Sequence, residues 1–228
     1  MNKALLVRIL PFTVFMAFIG LQQGLDWLSE KQVLRLNDES LLYLYPVKVA
    51  AVAAVLFVFR HDYPELRFRD LKQVALTGAS VLLGLLVFVL WINMDWPFAV
   101  FGESPGYNPS SVEADNVRNL LILCRVLGAA LIVPIMEELF WRSFLLRYII
   151  NADFMSVRIG TYTLTSFLVS SVLFGLEHHL ILAGIMAGAV YNLLLYRTQS
   201  LAQCVLSHAV TNLALAIYVL QTGQWQFW

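Results

Sequence analysis

Charge is scarce in this sequence. Only 13% of its 228 residues are Asp, Glu, Lys or Arg, whereas 60% are apolar. A soluble domain carries about 25% charged and about 45–50% apolar residues, so this composition excludes an ordinary water-exposed surface. The mean hydropathy of +0.73 agrees with that conclusion. The composition therefore predicts an integral membrane protein in contact with the lipid bilayer.

Several other features are missing. The formal net charge is zero, which gives no reason to expect a nucleic-acid partner. The two cysteines, Cys124 and Cys204, lie in apolar runs without metal-ligand spacing, which is typical of small packing residues. The sequence has no Gly-x-Ser-x-Gly, no His-Glu-x-x-His and no glycine-rich phosphate loop, so it carries no motif for those three chemistries.

Long apolar runs occupy most of the chain. About 17–25 apolar residues in a helix cross the hydrocarbon core of a membrane. The candidate runs are 4–21, 41–59, 74–92, 119–149, 162–178, 180–196 and 201–220. Pro134 would kink or divide the run 119–149. The predicted fold class is all-α, a polytopic transmembrane helix bundle of seven to eight helices that forms a single domain over 1–228.

The charged linkers orient this bundle. The linker 60–73 holds three arginines and a lysine, whereas 93–118 carries more acids than bases. Lys and Arg concentrate in the cytoplasmic loops of membrane proteins. We therefore predict that 60–73 and the N-terminus are cytoplasmic, and that 93–118 and the tail after Leu220 are external.

The first polar cluster inside an apolar run is 137–142, which reads EELFWR. An unpaired charge at the centre of a bilayer costs at least about 2.5–3.5 kcal/mol, so each of these residues needs a partner or a function. Glu138 and Arg142 are four residues apart, share a helix face and are predicted to pair. Glu137 lies about 100° round the helix and keeps no local cation.

Two further clusters lie on later helices. Residues 174–179 read FGLEHH, in which Phe174 and His178 share a helix face. We interpret the neighbouring Glu177 as an ordinary residue at headgroup level, and His179 likewise. Residues 208–212 read HAVTN, and by itself such a His-x-x-x-Asn pair is typical of an interhelical hydrogen bond.

Together, the three clusters predict a site. Two carboxylates, an arginine, two histidines and an asparagine lie on three apolar segments and satisfy one another only by converging inside the bundle. A buried carboxylate beside a histidine is a water-activating pair. Histidine and asparagine on one helix face can donate hydrogen bonds to a developing oxyanion.

These clusters resemble the CAAX protease and bacteriocin-processing family of glutamate-type intramembrane proteases. That family carries two adjacent glutamates with an arginine four residues beyond the second, then Phe-x-x-x-His, then His-x-x-x-Asn or Asp. The matching residues lie in the same order within 119–220, the motif-bearing core, and they are Glu137, Glu138, Arg142, Phe174, His178, His208 and Asn212.

The resemblance implies a role for each residue and no cofactor. Glu137 would be the general base that activates water, and His178 would assist it. Glu138 and Arg142 would hold the first carboxylate in place. Glu177 departs from the family pattern, since many relatives carry a small residue beside this histidine.

The resemblance also implies that His208 and Asn212 form the oxyanion hole, and that the substrate is a membrane-associated protein or peptide. Three segments, 134–146, 174–178 and the tail 222–225, look like the bacterial CAAX protease-related subgroup found alongside exosortase sorting systems. That likeness implies the bacterial inner (cytoplasmic) membrane and a partner from a sorting system.

Two alternatives stay open at this point. Glu137, Glu138, His178 and His208 are zinc ligands by residue type, which would make the chain a zinc-dependent membrane protease, although the nearby Arg142 disfavours a cation. Intramembrane acids and histidines also form proton relays, which would suit a non-catalytic binding, escort or transport protein. No inverted repeat supports a transporter.

Overall fold

The computed structural model describes residues 3–34, 38–100, 102 and 106–228. Within this part of the chain the predicted all-α fold class is confirmed, and short 3-10 turns connect the longer elements. The seven helices are α1 (Lys3–Glu30), α2 (Glu39–Val58), α3 (Val74–Trp91), α4 (Asp115–Ile150), α5 (Leu164–Leu176), α6 (Ile181–Thr198) and α7 (Leu201–Thr222).

Six of these helices are long and apolar enough to cross a membrane, and α5 is the exception. The sequence predicts a crossing helix over 162–178, but α5 has only 13 residues. Its length is therefore about 20 Å, which is short of the about 30 Å of a hydrocarbon core. The helix ends at Leu176, so His178 lies in the turn 177–180 and not on the predicted helix.

The connecting segments gather at two opposite ends of the bundle. At one end, Glu65 of the predicted cytoplasmic linker contacts Arg8 near the start of α1. At the other end, the predicted external linker meets the tail, where the backbone N–H of Tyr107 donates to the carbonyl of Trp228 at 2.9 Å. Residues 101 and 103–105 of that linker lie outside the described residues.

The run 119–149 belongs to one continuous helix, α4, so Pro134 does not divide it. The helix instead widens into π-helical turns at Gly128–Ile132 and Leu139–Leu145, on either side of the proline. Such turns are uncommon and occur frequently at functional sites. The two wide turns flank the Glu137-Glu138 pair.

The first wide turn leaves one carbonyl without a helical donor. The N–H of Val133 donates to the carbonyl of Gly128, five residues back. The next donor in this pattern would be residue 134, which would reach Ala129. Pro134 has no N–H, so the Ala129 carbonyl needs a partner from elsewhere.

Glycine brings α5 and α6 together beside the turn 177–180. A Cβ atom on Gly184 would lie 2.8 Å from Cα of Gly175 and 3.2 Å from Cβ of His178. A side chain at position 184 would therefore push the two backbones apart. The absence of a Cβ atom lets α6 approach the end of α5 and holds His178 against the bundle.

Candidate active site

Glu138 and Arg142 form the buried ion pair that their spacing predicts. Arg142 Nη1 donates to Glu138 Oε1 at 3.1 Å, and both side chains are almost completely buried. The guanidinium also donates to the carbonyl of Gly188 at 3.3 Å and lies over the ring of Phe174. A buried charge needs such a partner and such hydrogen bonds, and this network joins α4 to α6.

His208 contacts the same carboxylate from α7. Its Nδ1 lies 3.0 Å from Glu138 Oε1, and because an ionised carboxylate only accepts hydrogen bonds, Nδ1 carries a proton. The imidazole stacks on Tyr191, whose hydroxyl donates to Thr211 Oγ1 at 2.8 Å. This packing fixes the ring so that Nε2 lies 3.8 Å from Glu137 Oε2.

Glu137 has surroundings unlike those of its neighbour. Its side chain is buried, and its Oε2, like that of Glu138, has no hydrogen-bond partner among the described residues. Glu138, however, accepts two hydrogen bonds at Oε1. Burying a carboxylate oxygen without a partner is costly, so such an atom suggests that a water molecule or ligand belongs beside it. Glu137 lines an internal cavity with room for either.

His178 lies in the turn that follows α5 and lines the same cavity. Its Nδ1 lies 2.7 Å from the carbonyl oxygen of Phe174. Because a carbonyl only accepts hydrogen bonds, Nδ1 carries a proton and Nε2 of the neutral ring keeps its lone pair. The ring packs edge-on against Trp91. His178 Nε2 is therefore available to accept a hydrogen bond or to bind a metal.

The interpretation of Glu177 as a headgroup-level residue is wrong. Its side chain is only 13% exposed, and its Oε1 accepts a hydrogen bond from Trp141 Nε1 at 2.9 Å. One ligand atom from each of Glu137, Glu177 and His178 lies within 4.8 Å of the others. The one feature of the sequence that could have indicated this contact is that Glu177 directly precedes the predicted site residue His178.

Asn212 lies one helical turn beyond His208 on α7 and lines the cavity. Its Nδ2 donates to the Ala129 carbonyl at 2.9 Å, which is the carbonyl that Pro134 leaves without a helical donor. A carboxamide nitrogen has two N–H groups. One therefore completes α4, and the other is free to serve a ligand in the cavity.

The cavity has a volume of about 190 Å³ and extends from the glutamates toward the predicted external end. The predicted site residues on its wall are Glu137, His178, His208 and Asn212. The ion pair of Glu138 with Arg142 lies behind that wall. Arg125, which belongs to none of the three polar sequence clusters, also lines the cavity.

The candidate metal ligands differ from those predicted. Glu137, Glu177 and His178 are each of a residue type that binds zinc, although catalytic zinc sites more commonly have two or three histidines. The predicted set also includes Glu138 and His208, which hydrogen-bond to each other. Glu138 is further neutralised by its ion pair, so it fits a metal ligand poorly.

Comparison with known proteins gives one match. The model of the family described as type II CAAX prenyl endopeptidase Rce1-like matches residues 119–214, about two fifths of the chain. All six predicted site residues lie inside this range. The match supports the resemblance to CAAX proteases. It therefore supports a membrane protease, which is a hydrolase. No curated protein and no solved structure matches the chain.

Proposed function

We propose that this protein is an intramembrane endopeptidase that hydrolyses a peptide bond of a membrane-associated protein or peptide. The observation that carries the proposal is the carboxylate of Glu137, which lines a cavity together with His178 and whose buried Oε2 accepts no hydrogen bond from the described residues. A carboxylate and a histidine so placed can bind and deprotonate water. The family match over 119–214 supports the same reaction.

In the proposed first step, water binds between Glu137 and His178. The lone pair of His178 Nε2 accepts a hydrogen bond from this water and orients it. The carboxylate of Glu137 removes a proton while the water oxygen attacks the peptide carbonyl carbon. A positioned general base contributes about 10²–10⁴-fold to the rate. Glu138 is poorly suited to this role because its Oε1 already accepts from an arginine and a histidine.

The attack converts the carbonyl oxygen into an oxyanion that needs hydrogen-bond donors. Asn212 can supply its second Nδ2–H, since the first donates to Ala129. His208 can supply Nε2–H when both ring nitrogens carry protons, because Nδ1 donates to Glu138. Loss of one such donor costs about 10²–10³-fold in kcat.

Collapse of the tetrahedral intermediate breaks the C–N bond. Glu137, now protonated, passes its proton to the departing amine. The oxygen of the water stays in the new carboxylate, and Glu137 returns to its ionised state. Water is the only reactant besides the peptide, so no redox partner is required.

Substitution in cells tests this proposal. We expect Glu137→Gln and His178→Ala each to stop processing of the substrate while the protein still inserts, because each removes a group that contacts the attacking water. Quantitative proteomics of membrane-protein termini would identify the protein that accumulates uncut. Glu113→Gln, which alters an exposed glutamate, is the matched control. Unchanged processing by Glu137→Gln would contradict the proposal.

A zinc-dependent form of the same hydrolysis is the second candidate, because Glu137, Glu177 and His178 bring three ligand atoms within 4.8 Å. When bound, zinc would supply an activated water. Activity that survives prolonged dialysis against EDTA would exclude this form. Activity that EDTA removes and zinc, but not magnesium, restores would establish it.

The non-catalytic alternative predicts a different result in the same experiment. A binding, escort or transport role tolerates Glu137→Gln, which keeps shape and most hydrogen bonding. The bacterial inner membrane and a partner from an exosortase sorting system stay predictions from the sequence resemblance.

A further inference from the structure

One cation lines the cavity away from Glu137, and a second lies against two aromatic rings of the cavity wall. Arg125 of α4 lines the cavity, and its Cζ lies 4.4 Å from the ring centroid of Tyr45. Lys48 of α2 is buried, and its Nζ lies 5.1 Å from the same ring and 4.3 Å from that of Phe15. Two like charges therefore flank one aromatic ring in an apolar wall.

Neither cation has a counterion in the described part of the chain. The ion pairs found there involve other residues, and none joins a carboxylate to Arg125 or Lys48. The Nε atom of Arg125 is buried without a hydrogen-bond partner. Arg142, in contrast, is neutralised by Glu138. Uncompensated charge inside a membrane protein usually marks a ligand or transport site.

Aromatic rings surround the guanidinium, and the hydroxyl of one of them, Tyr45, also hydrogen-bonds to Arg125. Tyr107 and Trp228 join Tyr45, with ring centroids 5.3 and 5.7 Å from Arg125 Cζ. Ring faces attract a cation, but the arginine N–H donors point along the guanidinium plane. An arginine held in this way suits bidentate binding of a carboxylate.

We propose that Arg125, supported by the charge of Lys48, binds a carboxylate of the substrate peptide. This inference rests on the proposed endopeptidase function, because the anion then lies in the same cavity as Glu137. Twelve residues of α4 separate Arg125 from Glu137, which is about 18 Å along the helix. An extended peptide advances about 3.4 Å per residue, so the carboxylate belongs about five residues from the scissile bond.

A lipid phosphate is the competing anion, and the packing argues against it. Tyr45 is 4% exposed and Trp228 is 9% exposed, so two of the rings that flank Arg125 are themselves enclosed by the bundle. The arginine lines the cavity that also holds the unpartnered carboxylate of Glu137. A peptide that reaches Glu137 can place a carboxylate beside Arg125 from within the cavity, whereas a headgroup would approach only from the bilayer surface.

Peptide binding to the full chain in dodecyl maltoside micelles tests the proposal. The probes are three dansylated apolar pentapeptides: a free acid, its C-terminal amide, and the amide with glutamate as its last residue. Energy transfer from tryptophan reports each Kd. We expect wild type to bind at least one of the two carboxylate peptides at least tenfold more tightly than the neutral amide, and Arg125→Gln to bind all three alike.

Controls separate the binding site from a general loss of charge. Arg60→Gln removes another arginine that stacks on a ring, Phe57, at the opposite end of the bundle, and we expect it to keep the tenfold preference. If Arg125→Gln does not fold, Arg125→Lys and Lys48→Met provide the test, and we expect each to reduce the preference. A full preference in both would overturn the proposal.

The remaining outcomes distinguish the possible ligands. A preference for the free acid identifies a chain terminus, and a preference for the glutamate peptide identifies an acidic side chain. Equal binding of all three peptides by wild type would overturn the proposal. A second result would also overturn the proposal: phosphatidylglycerol binds in a way that requires Arg125, and neither carboxylate peptide binds more tightly than the neutral amide. The ligand would then be a lipid headgroup.

Repeating the titration with Glu137→Gln separates this inference from the proposed function. We expect that variant to keep the preference for carboxylate peptides, since Arg125 and Lys48 are unchanged. A kept preference together with normal processing by Glu137→Gln would contradict only the proposed function. If wild type binds the carboxylate peptides no more tightly than the neutral amide, and processing still depends on Glu137, only this inference is contradicted.

Discussion

Two adjacent glutamates on α4 have opposite surroundings. Glu138 is completely buried and accepts hydrogen bonds from Arg142 and His208. Glu137 borders the cavity, which Glu138 does not, and its nearest described cation is His208, whose Nε2 lies 3.8 Å from Oε2 without a hydrogen bond. The first arrangement suits a carboxylate that maintains structure, and the second suits a carboxylate that reacts.

Stability measurements on two variants should separate these carboxylates. Glu138→Gln leaves the buried charge of Arg142 without its counterion, so we expect a loss of about 3–5 kcal/mol in unfolding free energy. Glu137→Gln removes a charge whose ion-pair contact, with His208 Nε2, is long at 3.8 Å, so we expect little change in stability. Thermal unfolding in detergent micelles measures both. Equal destabilisation by the two variants would contradict the distinction.

Residue spacing predicted part of this site. The four-residue separation of Glu138 and Arg142 is enough to predict a pair, because an α-helix places such residues on one face. Residue spacing could not predict the position of Glu177, because that position depends on where α5 ends and on the contact with Trp141. Arg125 likewise carries no motif, and only its neighbours from other segments reveal its missing counterion.

At the scale of single elements, α4 depends on a contact with α7. Pro134 leaves the Ala129 carbonyl without a helical donor, and the side chain of Asn212 donates to it. Asn212 therefore has a structural contact in addition to its proposed role at the oxyanion. The same amide would couple the shape of α4 to the geometry of the site.

A double-mutant cycle tests this coupling. We expect Asn212→Ala to cost about 1 kcal/mol in unfolding free energy, because it leaves the partly buried Ala129 carbonyl without its protein donor. In a Pro134→Ala background, the new N–H at residue 134 can donate to Ala129. The cost of Asn212→Ala should then fall to a few tenths of a kcal/mol. An equal cost in both backgrounds would exclude the proposed compensation.

Apolar runs predicted that the helices exist, but not all of their boundaries. The run 162–178 contains enough apolar residues for a crossing helix, yet Thr163 caps α5 and the helix ends at Leu176. The wide turns on either side of Pro134 were not predictable, because helical and π-helical turns share the same apolar composition. The short α5 is what places His178 beside the glutamates.

At the scale of the whole molecule, a buried ionic cluster joins α1, the linker 60–73 and α4 at the predicted cytoplasmic end. Arg8 donates to both carboxylate oxygens of Glu65 at 2.7 and 2.8 Å. The hydroxyl of Ser143 also donates to Glu65, and Arg147 donates to that hydroxyl at 3.0 Å. The cluster lies opposite the end toward which the cavity extends.

The cluster should make stability depend on pH. Burial by itself would raise the pKa of Glu65, but hydrogen bonds from Arg8 and Ser143 and the charge of Arg8 outweigh burial and hold the pKa below its usual value of 4.5. The ionised carboxylate therefore stabilises the folded state above pH 4.5, and this contribution is lost as the pH falls through the lowered pKa.

Melting curves between pH 7 and pH 3 measure this effect. We expect Glu65→Gln to lower stability at pH 7 by about 3 kcal/mol, because Arg8 loses its counterion, and to flatten the decline below pH 4.5. Glu113→Gln, which alters an exposed glutamate, should follow the wild-type curve. If the stability of Glu65→Gln falls with decreasing pH as steeply as that of wild type, other groups cause the pH dependence.

The order of three short motifs was enough to predict that six residues converge, because apolar segments leave buried polar groups few partners other than one another. The linkers that charge counting assigns to one side of the membrane also gather at one end of the bundle. The shape of the cavity and its second cationic region arise from contacts between residues far apart in the sequence, which no local pattern encodes.

Hydrolysis in ¹⁸O-labelled water by purified protein tests the central claim that Glu137 activates water. The substrate is a peptide from the protein that accumulates uncut in Glu137→Gln cells. Wild type should incorporate one ¹⁸O atom into the new carboxylate of its product. The Glu137→Gln variant should be at least about 10²-fold slower at an unchanged melting temperature. A rate within threefold of wild type, or a product without the label, would contradict the account.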